Sequence, residues 1–208
     1  SSAASDVYKR QFMGGCRNTM LKFPPLKPHK PIGNVFVYSQ KNSFGSIVYK
    51  MANKDGKYVG LMETLPTIVN NKRQSYSPNA TSYPSLLIQK LSVGPKRQGF
   101  GSAFINIAKK DSFKHFCNGN IHLVASDMYD GLHPPQVFYR KLGFQFNKSS
   151  GFTERKVDEF IAGKIPESDL YGLGDTYMFF EHNVDKDGKM VESMKKFKEK
   201  FPEIFEWL

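Results

Sequence analysis

The run Leu91-Ser92-Val93-Gly94-Pro95-Lys96-Arg97-Gln98-Gly99-Phe100-Gly101-Ser102-Ala103 constrains the fold of this chain more than any other segment. Upstream of it, Leu86, Leu87, Ile88, Leu91 and Val93 make an apolar run rich in strand formers, which Gly94-Pro95 ends. A helical pattern opens at Ser102, with Ala103, Phe104, Ile107 and Ala108 at core spacing. A strand that turns into a helix over so few residues leaves unpaired backbone N–H groups at the helix N-terminus, where an anion can bind. Gly99 and Gly101 carry no side chain to hold a phosphate away, and Lys96 and Arg97 add positive charge. The segment therefore reads as a site for a phosphate-bearing ligand. An ordinary strand-to-helix turn is the plainer alternative, and Gly-x-Gly alone does not separate the two.

Two common nucleotide loops do not fit. The P-loop needs Gly-Lys followed by Ser or Thr, whereas Gly101 is followed directly by Ser102. The dinucleotide fingerprint needs a third Gly three residues beyond Gly101, where Phe104 stands. Gln98-x-x-Gly101-x-Ala103 instead resembles the acyl-CoA signature, (Gln or Arg)-x-x-Gly-x-(Gly or Ala), of the GNAT superfamily of N-acetyltransferases. Leu91-x-Val93-x-Pro95 matches the strand that leads into that signature. Downstream, Val137-Phe138-Tyr139-Arg140-Lys141-Leu142-Gly143-Phe144 resembles the Phe-Tyr-x-Lys-x-Gly-Phe segment of the same family, with a strand at Ile121 to Ser126 between the two. The resemblance covers about residues 45 to 146 and a last strand from Thr176 to Glu181.

The resemblance implies an α/β (α+β) fold, a mixed and centrally splayed sheet flanked by helices. It implies acetyl-CoA as cosubstrate and direct transfer of its acetyl group to an amine acceptor. Carried over residue by residue, the pantetheine arm lies on the backbone of Leu91, Ser92 and Val93. The pyrophosphate lies on the N–H groups of Gln98, Gly99, Phe100, Gly101, Ser102 and Ala103, beside Lys96 and Arg97. Tyr139 aligns with the residue that protonates the departing thiolate, and a tyrosine is protonated at neutral pH. No base is marked by the sequence. Glu63 is the first choice, against its reading as a solvent-facing strand residue; His122 and Asp127 are further candidates, and Gln89, where a carboxylate might sit, cannot titrate. Cys117, after Phe113 and Phe116, reads as a buried small hydrophobe. One departure concerns the acceptor side. The family places two helices between its first two strands, and here only Gln40 to Gly45 separates the first two strand candidates. That departure keeps a second reading open, a non-catalytic module on the same fold that binds acyl-CoA or nucleic acid.

Strands are expected at Asn34 to Ser39, Ser46 to Ala52, Tyr58 to Leu65, 84 to 93, 121 to 127, 144 to 147 and Thr176 to His182. Asn53-Lys54-Asp55-Gly56 is a hairpin turn, and residues 70 to 82 form a loop. Helices are expected after Gly101, over 135 to 142 with Pro135 in the first turn, from Thr153 to Gly163, and from about Met190. Three parts result: an N-terminal arm over 1–33, flexible or non-native; a GNAT-like domain over 34–183 with an insertion at 148–174; and a helical extension over 184–208.

The net charge of +11 points to an anionic partner, and the three phosphate groups of CoA account for part of it. The lysines are scattered rather than striped, so nucleic acid is not expected as a partner. No run reaches the roughly 18 apolar residues of a membrane span, and no secretory leader opens the chain. Two cysteines make no disulfide framework and no zinc spacing, so a reduced, cytoplasmic setting without metal is expected. The acceptor stays unidentified, and a homodimer stays open.

Overall fold

The computed structural model describes residues 27–28, 35–43, 45–70, 82–126, 133–181 and 189–204. Eight strands form one sheet: β1 (Lys27–Pro28), β2 (Val35–Lys41), β3 (Ile47–Asn53), β4 (Tyr58–Asn70), β5 (Ser82–Val93), β6 (Ile121–Ala125), β7 (Gln145–Phe146) and β8 (Thr176–Phe180). They lie in the order β1-β2-β3-β4-β5-β6-β8-β7. Among the described residues, four α-helices accompany them: α1 (Phe100–Lys114), α2 (Pro135–Lys141), α3 (Gly151–Ile161) and α4 (Lys189–Lys200). The result is the mixed α+β architecture that the motifs lead one to expect. Elements fall where the periodicity puts them, with β4 and β5 longer than expected and β7 shorter. The loop expected over 70 to 82 and the N-terminal arm lie largely outside the described residues.

Every neighbouring pair of strands is antiparallel except β5 and β6. A parallel pair needs a crossover, and α1 supplies it. The pairing is short: Leu86 with Ile121, Leu87 with His122 and Ile88 with Leu123. β5 continues to Val93, still paired with Gly60 of β4, so it leaves β6 after Ile88. Two features drive the strands apart. The β4–β5 ladder carries a bulge at this point, with Glu63 opposite Lys90, Thr64 opposite Ile88, and Gln89 as the extra residue. A bulge bends its strand and increases local twist. From the other side, the Gln136 amide donates to Ala125 O (3.3 Å) and Gly174 O (2.7 Å), tying the end of β6 toward β8.

The core lies between the sheet and α1. Gly101, Phe104, Ile105, Ala108, Asp111 and Ser112 are buried on one stripe of α1, at spacings of three and four. Phe104, Ile105 and Ala108 share one core with Met51, Met62, Leu86, Ile121 and Leu123. Ala103, expected in this stripe, is only half-buried, because the helix is turned so that Ile105 faces the sheet. The stripe ends in polar groups that find partners. Ser112 donates to Asn120 O (2.8 Å), and Asn120 Nδ2 to Pro84 O (3.2 Å). Burial raises the Asp111 carboxyl, but hydrogen bonds from His115 and Tyr49 outweigh it and hold it below the usual range.

Among the described residues no helix separates β2 from β3, as the short spacing of Gln40 to Gly45 leads one to expect. β2 and β3 form a hairpin closed by Asn42 N–H to Ser46 O (2.8 Å) and Gly45 N–H to Asn42 O (3.2 Å). Gly45, at φ +83°, takes a backbone conformation that suits glycine. The insertion after β7 holds α3, which is tied to α2 by a two-pronged contact of Arg140 with Asp158 (2.8 Å for each prong) and by Glu154 (3.2 Å). The C-terminal helix is part of the same core: Phe197 of α4 is fully buried, Phe201 lies 5.9 Å from the His115 ring, and Lys200 donates to Lys114 O (3.1 Å). Phe197→Ala is expected to cost about 3–5 kcal/mol in urea denaturation, as a fully buried aromatic does; a loss within experimental error would place α4 outside the core.

Candidate functional site

The site is built from three pieces that the fold brings together: the unpaired end of β5, the start of α1, and α2. Gly94 N–H donates to Val59 O of β4 (2.9 Å), which fixes the phase of the ladder. In an antiparallel ladder every second residue turns its N–H and C=O away from the partner strand. Leu91 and Val93 thus direct their backbone groups toward the gap left by β6, and Ser92 directs its own toward β4. Among the described residues no strand pairs with this edge of β5 beyond Ile88, so it offers donors and acceptors along one wall to an extended chain of amides.

The turn after β5 is solvent-exposed from Gly94 through Gly99 and carries Lys96 and Arg97. Gly99 caps α1 at φ +80°, with no side-chain cap and no acidic residue in the first turn. Ala103 N–H bonds Gly99 O (3.0 Å) as the first rung of the helix, so the free-donor set at this end is narrower than Gln98 to Ala103 and centres on Phe100, Gly101 and Ser102.

The two glycines of the signature do different work. Gly99 has no atom within 4 Å of where a Cβ would stand, and it is its left-handed backbone that calls for glycine. Gly101 has a packing reason that the sequence did not show. A Cβ there would meet the Phe138 ring at 2.9 Å, so its missing side chain makes room for α2 to pack against α1. Gly101→Ala is expected to cost about 1–3 kcal/mol by overpacking. Adding Phe138→Leu should recover part of that cost, and strictly additive losses would remove the contact as the cause.

Phe138 opens a chain of rings that seats the neighbouring tyrosine. Tyr139 meets Phe138 edge-on at 5.0 Å and Phe144 at 5.5 Å, and Phe144 meets Phe180 at 5.6 Å. Pro135 stands in the first turn of α2, as expected. Burial pushes the Tyr139 phenol well above the ordinary tyrosine range, so it stays protonated throughout the neutral range. Among the described residues its hydroxyl has no hydrogen-bond partner.

Glu63 stands apart from this group. Its row on β4 alternates with Met62 and Thr64, which are buried on the α1 side, so Glu63 lies on the opposite face of the sheet. There Asn42 Nδ2 donates to Glu63 Oε1 (2.9 Å), and Ser46 Oγ to Gln89 Oε1 (2.8 Å). No sequence signal marked Asn42, Ser46 or Gln136, because the sheet partners Glu63, Gln89 and Gly174 lie 21 residues or more along the chain from them.

The other candidates have structural places. Cys117 is fully buried, and burial pushes its thiol above the usual range, as suits a small hydrophobe. His122 stacks on Phe179 (6.2 Å) and shares a hydrogen bond with Ser85 Oγ (2.9 Å); burial pushes its pKa down to about 4. Asp127 lies outside the described residues. Among those residues no group of His, Cys, Asp and Glu could hold a metal, and no helix is long and apolar enough to cross a membrane. The unfolded chain protonates His122 near its ordinary value of 6.5, and the folded one only near 4. Its contribution to stability is therefore full above that ordinary value and is lost as pH falls toward 4. His122→Asn should flatten this loss by up to about 3 kcal/mol between neutral and acid denaturation series; an unchanged slope would assign the acid sensitivity elsewhere.

No family model matches the sequence, and no curated protein does. Solved structures are similar to it. The Bacillus subtilis N-acetyltransferase YlbP in complex with coenzyme A matches at 20% identity and TM-score 0.37, over 67% of this chain and 70% of that one. A mutant AtaT toxin bound to the C-terminus of the antitoxin AtaR and acetyl-CoA matches at 16% identity and TM-score 0.36, over 65% and 67%. Nourseothricin acetyltransferase matches at 14% identity and TM-score 0.38, over 75% and 96%. The chain thus spans about two thirds of the length of YlbP and AtaT. The fold itself is read from the strand order, the single parallel pair and the gap described above.

Proposed function

We propose that the chain is an N-acetyltransferase that moves the acetyl group of acetyl-CoA directly onto an amine. The observation that carries this reading is the gap between β5 and β6, which opens beside the uncapped start of α1. An extended amide chain ending in a pyrophosphate fits that pair of features: amides along Leu91 and Val93, phosphates on the N–H groups of Phe100, Gly101 and Ser102, with Lys96 and Arg97 nearby.

In this reading the amine nitrogen attacks the thioester carbonyl carbon. The new C–N bond forms as the C–S bond breaks, and a backbone N–H near Leu91 steadies the developing oxyanion. Glu63 takes the amine proton, directly or through a water. The thiolate receives a hydrogen bond from Tyr139. A phenol held above its ordinary range gives up its proton reluctantly, so Tyr139 serves first as a donor to the sulfur and as an acid only when the thiolate charge has built up beside it. On the Glu63 face the described wall includes the turn that joins β2 to β3.

Calorimetric titration with acetyl-CoA, with CoA in parallel, tests the cofactor half; micromolar binding is expected, and none at millimolar ligand would leave the signature as a structural turn. Tyr139→Phe should then lower turnover ten- to a hundredfold with acetyl-CoA affinity nearly unchanged, and wild-type turnover would remove Tyr139 from the chemistry.

A further inference from the structure

The hairpin turn that stands where the related pattern has helices is stapled to the sheet at one place, the bulge beside which β5 leaves β6. Asn42 makes the first staple. Its Oδ1 accepts from Ser46 N–H (2.9 Å), and its own N–H donates to Ser46 O (2.8 Å). A backbone donor on one side and a carboxylate on the other leave a single sensible orientation for the amide, with Nδ2 facing Glu63 Oε1 at 2.9 Å. Ser46 makes the second staple through Gln89, the extra residue of the bulge. The turn therefore grips β4 and β5 together, one residue beyond the last β5–β6 pair.

We infer that Asn42 is a positioning residue for Glu63, and that the β2–β3 turn has taken over the task of setting the base on the acceptor side. The inference rests on the proposed transferase reading. A donor fixed on one carboxylate oxygen restricts its rotation, so that the second oxygen keeps one direction toward the incoming amine. The charged groups facing Glu63 from the adjoining strands are Lys90, opposite it on β5, and Lys50, on the same face of β3 two positions along the ladder. The β2 residue in that row, Gln40, is uncharged.

Asn42→Asp separates this role from a merely structural one. Aspartate keeps an oxygen for Ser46 N–H, so the turn closes as before, but it replaces the donor to Glu63 with a second negative charge. In the full chain, the Glu63 side-chain carboxyl signal in carbon-13 NMR, assigned by its loss in Glu63→Gln, should titrate at higher pH in Asn42→Asp than in the wild type, and the urea midpoint should be lower at neutral pH by the linked amount while the fold is kept. An unmoved titration overturns the inference whatever the protein catalyses. The kinetic arm uses acetyl-CoA with spermidine and with a lysine-containing peptide as amines, following thiol release. At pH 6, kcat/KM of Asn42→Asp should fall about tenfold and recover only part of the way by pH 9, because aspartate lets the base ionise but not the donor that fixes it return; full recovery by pH 9 would overturn the positioning role. If the NMR titration moves but Glu63→Gln turns over like the wild type, or bound acetyl-CoA is turned over with neither amine, the base reading is overturned and the positioning role falls with it. Acetyl-CoA binding by calorimetry judges the cofactor half separately.

Discussion

The parting of β5 from β6 is the constraint on which the rest of the molecule depends. A parallel pair in the middle of a sheet would ordinarily run the length of both strands, with every backbone group satisfied by its neighbour. Here the pair is three residues long, after which Leu91 and Val93 face a gap. Backbone groups held in strand geometry without a strand beside them form a binding wall that needs no particular side chain. The gap is kept open from both sides. The Gln89 bulge turns β5 away, and Gln136 draws the end of β6 toward β8.

The same parting explains how the helices are arranged. α1 must start where β5 ends, so its bare N-terminus comes to the mouth of the gap. α2 follows β6 and is pressed against α1 by the Phe138–Gly101 contact, while Arg140 ties its outer side to α3 through Asp158 and Glu154. Tyr139 is seated by these contacts and not by any hydrogen bond among the described residues. The inserted segment after β7 thus helps to hold the helix that carries Tyr139, and α4 closes the far end of α1 with Phe197 and Phe201.

Much of this was legible in the chain. The strand–turn–helix at residues 91 to 103 and the aromatic segment at 137 to 144 implied a splayed mixed sheet, and the strand order agrees. Periodicity placed β3, β5, β6 and α2 to within a few residues, since their apolar positions serve one core. The individual glycines were less legible. Gly99 and Gly101 look alike in sequence, yet one is set by backbone conformation and the other by a ring from a helix 37 positions later. The helix stripe was misread at Ala103 for a similar reason: alanine suits a core or a surface, and the sheet decides which. The polar clamps were not legible at all, since Asn42 with Glu63, Ser46 with Gln89, and Gln136 with Gly174 are pairs of ordinary polar residues far apart along the chain.

The sequence by itself determined which elements form and in what order, because hydrophobic period, turn residues and helix starts act over neighbouring positions. It also determined the strand–turn–helix that leaves a helix start without a side-chain cap. Only the tertiary structure decided that β5 and β6 separate after Ile88, that Glu63 lies on the face away from α1, and that the short turn after β2 meets the bulge of β5. Those outcomes depend on bulge register, on which strand a side chain meets, and on contacts between distant segments, none of which has a period that a linear sequence displays.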